Sequence, residues 1–250
     1  MAEGARLESV FRGNSNVGSN PTLSASLLSR SIHTNLKRLT NPLSNDYVLS
    51  GRFSLNLTVA ITGASGAIFG QSLLRMLEAD PRVNKVHFLA SENSLRVMAE
   101  ELSISGRNQL LERLLGHAPV KSIQHAESDI GASIASGSHP SSGMIVLPCS
   151  MGTLAAIAHG LANTLIARAA DVTLKERRPL VLCVRETPLN RIHLRNMQLA
   201  AEAGAVIFPV IPAFYNRPAT LEEMVNQYVC RVLAHIGLPQ QNAYIWREED

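Results

Sequence analysis

The sequence has few cysteines and no metal-binding motif, and each shortage excludes a class of protein. Three cysteines, Cys149, Cys183 and Cys230, occur among 250 residues with no C-x-x-C spacing, so we expect neither a disulfide framework nor a cysteine-bound zinc ion. The eight histidines form no H-x-x-x-H or H-E-x-x-H motif, so we expect no metal site. This cysteine usage fits a reducing compartment, and we expect the cytoplasm.

Long hydrophobic runs are also missing, and the sequence after residue 56 has no excess of basic charge. No apolar run approaches the roughly 18 residues of a membrane-spanning helix, so we expect no membrane segment. The net charge of +3 comes from residues 1–56, which hold six basic and three acidic residues, whereas the remainder holds 17 of each. The remainder is therefore neutral, and a nucleic-acid partner has no electrostatic support.

Residues 1–56 lack the pattern of a folded segment. They are rich in Ser and Asn and show no helix or strand period, so they are predicted to be a disordered tail before a domain at 57–250. Being basic, Ser-rich and poor in acids, they resemble a mitochondrial transit peptide. We prefer another hypothesis, because Gly18-Ser19-Asn20-Pro21 is what the T-arm of a transfer-RNA gene encodes in one frame. The start codon would then be assigned too far upstream.

From Leu57 onward the sequence alternates between short apolar strands and helices. The predicted strands are Leu57–Thr62, Lys85–Ala90, Met144–Leu147, Leu180–Val184 and Ala205–Phe208. The predicted helices are 68–79, 94–102, helical stretches within 153–174, 192–203 and 221–236, and residues 105–142 form a less regular connection. All-apolar strands separated by helices indicate a mostly parallel sheet covered on both faces. We therefore predict a single-domain α/β fold, a Rossmann-like three-layer sandwich.

A small-residue turn, Gly63-Ala64-Ser65-Gly66-Ala67, follows the first predicted strand. Glycines let a backbone approach an anion, and the N-terminus of the next helix attracts one, so the turn is predicted to hold a phosphate. Neither G-x-G-x-x-G nor G-x-x-x-x-G-K-[ST] is present. The alternative is a tight strand-to-helix turn without a ligand.

Polar residues also follow the other predicted strands. They are Ser91 after the second strand, Pro148–Thr153 after the third, Arg185 and Glu186 after the fourth, and Pro212–Tyr215 after the fifth. Ligands of parallel α/β sheets bind beyond the carboxyl ends of the strands, so these turns predict a ligand crevice. The alternative for Arg185 and Glu186 is a structural ion pair, and Cys149 is expected to be a small buried side chain rather than a nucleophile.

Six motifs together resemble one family, the flavin prenyltransferases of the UbiX type. They are T-G-A-S-G-A at 62–67, S-G-S at 136–138, P-C-S-M-G-T-L at 148–154, R-A-A-D-V-x-L-K-E-R-R-P-L-V-L at 168–182, R-E-T-P at 185–188 and P-A-F-Y-x-R-P at 212–218. The match runs from Leu57 to about Trp246. The long motif at 168–182 is highly specific, whereas G-A-S-G alone is weak.

The resemblance implies a reaction and a set of partners. Reduced FMN would be the bound substrate, and dimethylallyl monophosphate would donate a dimethylallyl group to its N5 and C6 atoms. The product, prenylated FMN, would serve a UbiD-type decarboxylase. The resemblance further implies no metal and a homododecamer with active sites between subunits.

The resemblance also assigns roles to individual residues. The FMN-binding residues would be Gly63, Ala64, Ser65, Ser91, Ser150, Met151, Gly152, Thr153 and Arg185. The phosphate of the donor would be held by Ser136, Arg168, Lys175, Tyr215 and Arg231. The catalytic residues would be Glu186, Lys175 and Glu101, with the two carboxylates handling protons.

Two other functions remain open from the sequence. An FMN-dependent cysteine decarboxylase would share the fold and the flavin turn but would lack the cluster around Lys175, Arg185 and Glu186. A non-catalytic FMN-binding or delivery subunit would keep the flavin without turnover. Trp246, on a polar tail, is either a docking anchor or a packed terminus.

Overall fold

A computed structural model describes residues 54–246, and the expectations for residues 1–53 lie outside this range. Its centre is a sheet of six parallel strands in the order β3-β2-β1-β4-β5-β6. The strands are β1 (Leu55–Ile61), β2 (Val83–Ala90), β3 (Ser122–His125), β4 (Gly143–Cys149), β5 (Leu180–Val184) and β6 (Val206–Ile207). This order reverses between β1 and β4, which is where a doubly wound sheet opens a crevice.

Seven α-helices in the described range cover the two faces of the sheet. They are α1 (Ala67–Ala79), α2 (Glu92–Leu102), α3 (Leu110–Leu115), α4 (Met151–Ala158), α5 (Leu165–Lys175), α6 (Arg191–Glu202) and α7 (Leu221–His235). Buried residues of α1, α2, α3 and α7 form one core cluster with the sheet. Buried residues of α4, α5 and α6 form a second cluster on the opposite face. The three-layer α/β sandwich predicted from the sequence is confirmed.

The central strands have the composition that burial on both faces requires. Every residue of β4 and β5 is buried, and so are the last five residues of β1. Such strands read as continuous apolar runs rather than alternating ones. No helix in the described part of the chain is long and apolar enough to cross a membrane.

The connection predicted to be irregular, 105–142, is the main difference from the sequence prediction. It contains helix α3, strand β3 and a short 3₁₀ turn at Ser133–Ala135, so the sheet has six strands rather than five. The start of β3 is fixed by Glu78 on α1. The Glu78 carboxylate accepts hydrogen bonds from the N–H groups of Val120 and Lys121, at 2.5 and 2.9 Å, and from the Ser122 hydroxyl.

Candidate active site

A cavity of about 240 Å³ opens at the carboxyl ends of β1, β2 and β4. Its lining includes Gly63 after β1, Ser91 after β2, and Ser150, Gly152 and Thr153 after β4. These five residues belong to the FMN-binding set proposed from the sequence. The cavity therefore lies at the point where the strand order reverses, as expected for a ligand crevice in a sheet of this order.

The Thr62 side chain joins the two turns that flank this crevice. Its buried hydroxyl donates a hydrogen bond to the Pro148 carbonyl at 2.8 Å and accepts one from the Ser150 N–H at 2.8 Å. The hydroxyl thus uses both its donor and an acceptor site on the neighbouring strand's turn. The sequence analysis assigned no role to Thr62, and only the adjacency of β1 and β4 in the sheet reveals one.

Helix α4 begins directly at the cavity. Ser150 is its N-cap, and the Ser150 hydroxyl accepts a hydrogen bond from the Thr153 N–H at 3.3 Å. The N–H groups of Met151 and Gly152, in the first turn, have no acceptor within the helix. A helix N-terminus with N–H groups and two hydroxyls attracts an anion such as a phosphate.

The turn at Gly63–Ala67 differs from its prediction as a phosphate site. The Glu101 carboxylate, from the end of α2, accepts hydrogen bonds from the N–H groups of Gly66 at 3.0 Å and Ala67 at 2.8 Å. The chain's own carboxylate therefore binds the N-terminus of α1, where we expected free N–H groups. Within the turn, Ala64 is buried and Ser65 is exposed at the tip.

Two glycines of this turn are required by the fold. A Cβ atom on Gly63 would lie 2.5 Å from the Cβ of Asn93, so α2 packs directly against the turn. Gly66 has φ +107°, a left-handed conformation that favours glycine.

Two carboxylates, those of Glu92 and Glu127, line the cavity, and each has a partner in the protein. Glu92 forms an ion pair with Arg107 at 2.6 Å. Glu127 accepts a hydrogen bond from the Glu92 N–H, at the start of α2, at 3.1 Å. These contacts offset the negative charge at the mouth of the cavity.

Arg185 and Glu186 follow β5 at the same edge of the sheet. The Arg185 N–H donates to the Cys149 carbonyl at 3.1 Å, which places Arg185 beside the start of the Ser150 turn. Glu186 is exposed, and its carboxylate accepts a hydrogen bond from the Thr187 N–H at 3.0 Å. Within residues 54–246 neither side chain takes part in a salt bridge, so the structural ion pair considered above does not form in a single chain.

A second cluster of polar residues contains Ser136, Arg168 and Lys175. The Arg168 guanidinium donates to the Ala135 carbonyl at 3.2 Å and pairs with Asp171 at 2.8 Å. Lys175 forms an ion pair with Glu176, and both side chains pack against Gly137, where a Cβ atom would clash with them. The structure thus brings these three predicted donor-binding residues to one loop, residues 135–139.

The position of this second cluster corrects one sequence expectation. The predicted catalytic set contains Lys175 and Glu186, and because both flank β5 in sequence, the expectation is that both reach one edge of the sheet. Lys175 ends α5, which runs back to the amino end of β5, whereas Glu186 follows the carboxyl end. Five strand residues, roughly 17 Å at about 3.3 Å per residue, separate these ends. A single chain therefore does not bring Lys175 and Glu186 together.

The remaining predicted residues lie on yet other elements. Arg231 is exposed on α7, in the layer opposite to α5, so it does not join Lys175 within one chain. Tyr215 follows β6 and is 69% exposed, and its ring makes an edge contact with Trp246 at 4.8 Å between centroids.

The three cysteines of the described range are buried. Burial raises the pKa of the Cys149 thiol, which agrees with the expectation that Cys149 is a packed side chain rather than a nucleophile. Within residues 54–246, no group of three or more His, Cys, Asp or Glu side chains is arranged so that it could hold a metal ion.

A parallel 3-2-1-4-5-6 sheet with a cavity at its reversal point is the doubly wound architecture typical of nucleotide-binding α/β proteins. Residues 51–229 match the family model described as Flavoprotein. The chain is 48% identical to the flavin prenyltransferase UbiX of Salmonella typhimurium over 73% of this chain and 92% of the relative. It is 46% identical to the flavin prenyltransferase UbiX of Escherichia coli K12 over 76% of this chain and 97% of the relative.

Solved structures of UbiX-type proteins are also similar to this chain. The crystal structure of AnUbiX (PadA1) in complex with FMN and dimethylallyl pyrophosphate is 40% identical, with a TM-score of 0.69 over 78% of this chain and 98% of that chain. A dodecameric FMN-dependent UbiX-like decarboxylase from Escherichia coli O157:H7 is 41% identical, with a TM-score of 0.70 over 77% of this chain and all of that chain. The chain belongs to the UbiX flavin prenyltransferase family.

Proposed function

We propose that this enzyme transfers a dimethylallyl group from a dimethylallyl phosphate to N5 and C6 of reduced FMN. The observation that carries the proposal is the cavity lined by Ser91, Ser150 and Thr153 at the reversal point of the sheet. Identities of 46–48% to flavin prenyltransferases favour this function over a cysteine decarboxylase. When bound, FMN supplies the nucleophilic ring atoms that accept the dimethylallyl group.

The residues around the cavity fit FMN. The N–H groups of Met151 and Gly152 and the hydroxyls of Ser91, Ser150 and Thr153 suit the FMN phosphate. A Cβ atom on Gly152 would meet nothing within 4 Å, so this face of α4 is open to a ligand. We assign Ser65, exposed at the tip of the α1 turn, to another part of the flavin, and Gly63 and Ala64 belong to the same turn.

The second cluster fits the phosphate of the donor. When that phosphate leaves, negative charge develops on it, and preorganised cations lower the cost of this charge. Lys175 and Arg168 supply cations, and the exposed Ser136 hydroxyl supplies a hydrogen bond. Glu186 is assigned the role of the general acid that protonates the departing phosphate. Glu101 is the second proton-handling carboxylate, and this role requires it to leave the N-terminus of α1.

The two clusters form one site only if subunits combine. Lys175 and Glu186 lie at opposite ends of β5, and Arg231 lies in the other helix layer. A symmetric oligomer can bring the amino edge of one copy to the carboxyl edge of another. We therefore propose active sites between the subunits of a homododecamer, and the existence of a dodecameric structural relative supports this assembly.

An anaerobic reaction tests the proposed function. Purified protein is incubated with reduced FMN and dimethylallyl monophosphate, and the mass of the flavin is measured. We expect an increase by one dimethylallyl unit. A parallel reaction with dimethylallyl diphosphate determines which phosphate the enzyme uses. Retained flavin without a mass change with either donor would indicate the delivery subunit instead.

The product is proposed to serve a decarboxylase of the UbiD type. The test adds the filtered reaction mixture to such a decarboxylase purified without its flavin. Decarboxylation that depends on prior incubation with this enzyme supports the pairing. Activation by FMN alone contradicts it.

A further inference from the structure

Three histidines from separate segments form one hydrogen-bonded chain beneath the donor-binding loop. His87 on β2 is buried, and its Nδ1 lies 2.8 Å from Nε2 of His125 on β3. Its Nε2 lies 3.1 Å from Nε2 of His139. His139 directly follows the S-G-S motif at 136–138, so the chain of rings runs from the edge of the sheet to that loop.

We propose that the chain His125–His87–His139 positions the Ser136–Ser138 loop for the phosphate of the donor, with His87 and His139 as positioning residues. The proposal rests on the proposed function, because the loop's role in binding the donor is part of it. The loop has a second anchor, Arg178, whose guanidinium donates to the carbonyls of Gly137 at 2.8 Å and His139 at 3.0 Å. Arg178 holds the loop backbone, and the hydrogen bond to His87 holds the partly buried ring of His139.

The loop presents its hydroxyls outward. Ser136 and Ser138 are exposed, and their hydroxyl oxygens lie 2.9 Å apart. The His139 N–H donates to the Ser136 carbonyl at 3.2 Å, which closes the turn. A shift of the His139 ring therefore moves the Ser136 hydroxyl relative to Lys175, which packs on Gly137.

The chain requires its histidines to be mostly neutral. Each ring–ring contact needs one N–H donor and one bare nitrogen, and His87 uses both of its nitrogens. One added proton can be accommodated, but a second places two N–H groups against each other. Burial, and next the charges of His125 and His139, lower the pKa of His87 to about 4.

Burial also lowers the pKa values of His125 and His139 below the ordinary histidine value. Three other charged groups act on the chain: Lys85 on His87 and His139, Arg178 on His139, and Asp129 on His125. Only Asp129 favours the charged form. The chain is therefore intact at neutral pH and breaks as the pH falls towards the lowered pKa values.

The test compares His139→Leu and His87→Gln with His117→Gln, a control at an exposed histidine outside the chain. Amide hydrogen exchange of a peptide covering 136–142 is measured at pH 7, together with the KM for the donor, kcat and flavin affinity. His139 is only partly buried, so His139→Leu keeps the variant set informative if His87→Gln folds poorly.

We expect faster exchange of the 136–142 peptide in both His139→Leu and His87→Gln. We also expect the KM for the donor to rise about tenfold in both variants, a loss on the scale of one or two hydrogen bonds. Flavin affinity, kcat and the His117→Gln values should stay within about twofold of wild type. A merely structural role would not give the following pH signature. The ratio of the His139→Leu KM to the wild-type KM should fall towards one as the pH falls from 7 towards about 4, because protonation of the buried rings breaks the hydrogen-bonded histidines of wild type.

Two results would overturn the proposal: unchanged loop exchange in His139→Leu, or faster exchange with an unchanged KM while Ser136→Ala raises the KM. Failure of the proposed function looks different. In that case wild type does not prenylate FMN, or Ser136→Ala and Lys175→Ala leave the KM unchanged. Loop exchange then still decides whether the histidine chain holds the loop.

Discussion

Glu186 is exposed at the carboxyl end of β5 and makes no salt bridge with another described residue. Among residues 54–246, the one hydrogen bond that its carboxylate accepts is local, from the Thr187 N–H. Glu186→Gln keeps the size of the side chain and its hydrogen bonding but removes the titrating proton. We predict unchanged FMN binding and a rate of prenylation about 100-fold lower, the usual scale of general acid–base catalysis.

Single-turnover kinetics of flavin-loaded protein measure this effect. Glu202→Gln is the matched control, since Glu202 is exposed on α6 and accepts a hydrogen bond from Gln198. Normal single-turnover prenylation by Glu186→Gln would remove Glu186 from the mechanism and leave Glu101 as the candidate carboxylate.

A substitution at Gly66 tests whether the turn before α1 takes part in flavin binding. Its φ of +107° disfavours any side chain, and a Cβ atom would lie 3.2 Å from the Phe69 ring. Gly66→Val should move the turn that carries Ser65 and displace the N–H groups bound by Glu101. We predict that the variant no longer retains FMN, as measured by absorbance after gel filtration.

Gly106→Val separates this local effect from backbone strain. Gly106 also has a positive φ, +71°, but open space around it and no place in the cavity lining. It should lose stability and keep its flavin. A folded Gly66→Val protein that still purifies yellow would exclude the turn from flavin binding.

At the scale of elements, Asp80 joins the α1–β2 turn to the segment after α7. Its carboxylate pairs with Arg82 at 2.6 Å and accepts a hydrogen bond from Gln240 at 3.2 Å. The hydrogen bond from Arg82 lowers the pKa of Asp80 to about 2. The unfolded chain binds a proton at higher pH than the folded one does, so this contribution is fully present above pH 4 and is lost between about pH 4 and 2.

The shift corresponds to about 2 kcal/mol of unfolding free energy. Asp80→Asn should therefore be less stable at pH 7 and should lose less stability than wild type below pH 4, as measured by urea denaturation. Glu100→Gln is the control, because Glu100 pairs with Arg96 at an exposed site and such pairs contribute little. Parallel pH profiles for wild type and Asp80→Asn would contradict the prediction.

The elements show where sequence reasoning succeeds. Strand β5, Leu180–Val184, was predicted with its observed bounds, because five apolar residues lie between Pro179 and a charged pair. Strand β3 was missed because its four residues, Ser-Ile-Gln-His, include one apolar side chain, Ile123, which is 44% exposed. An edge strand of this kind is fixed by contacts such as those of Glu78, about 42 residues away in sequence, which no local pattern reveals.

In the candidate site, too, local sequence predicts some residues, whereas others depend on contacts between distant segments. Ser91 and Ser150 were predictable because a polar residue directly after an apolar strand caps the next helix. Glu101 at the N-terminus of α1, and Thr62 between two turns, depend on which elements become neighbours. The expectation that Lys175 and Glu186 share an edge within one chain was wrong because Lys175 precedes β5 and therefore lies at its amino end, whereas Glu186 follows the carboxyl end.

At the scale of the whole molecule, the described fold includes all six strands from Leu55 onward. The core clusters contain residues from Leu57 to Leu238. We predict that a chain beginning at residue 54 folds, assembles and binds FMN as the full chain does. Starting at Leu57, as the sequence suggested, would remove two residues of β1. Size-exclusion chromatography and flavin absorbance test this, and loss of assembly or flavin would assign residues 1–53 a role.

Detection of residues 6–25 in native protein by peptide mass spectrometry would reject the hypothesis that the start codon is assigned too far upstream.

The assembly itself is tested by combining two defective subunits. Lys175→Ala should lose donor affinity and rate, because a cation bound to phosphate serves both ground and transition states. Lys175 and Glu186 lie at opposite ends of β5, so in the proposed assembly a complete site takes each from a different copy. Co-expression of Lys175→Ala with Glu186→Gln subunits should then restore about a quarter of wild-type activity, the share of sites that randomly combine two intact residues in a symmetric oligomer.

The double variant co-expressed with wild type is the matched control. Sites shared between subunits again give about a quarter of wild-type activity, whereas sites within one chain give about a half. Activity is normalised to assembled protein, with subunit ratios measured by mass spectrometry. Sites confined to one chain would leave the Lys175→Ala and Glu186→Gln mixture as inactive as either parent. That outcome would require the amino and carboxyl ends of β5 to contribute to one pocket in a single chain, against the topology of α5 and β5.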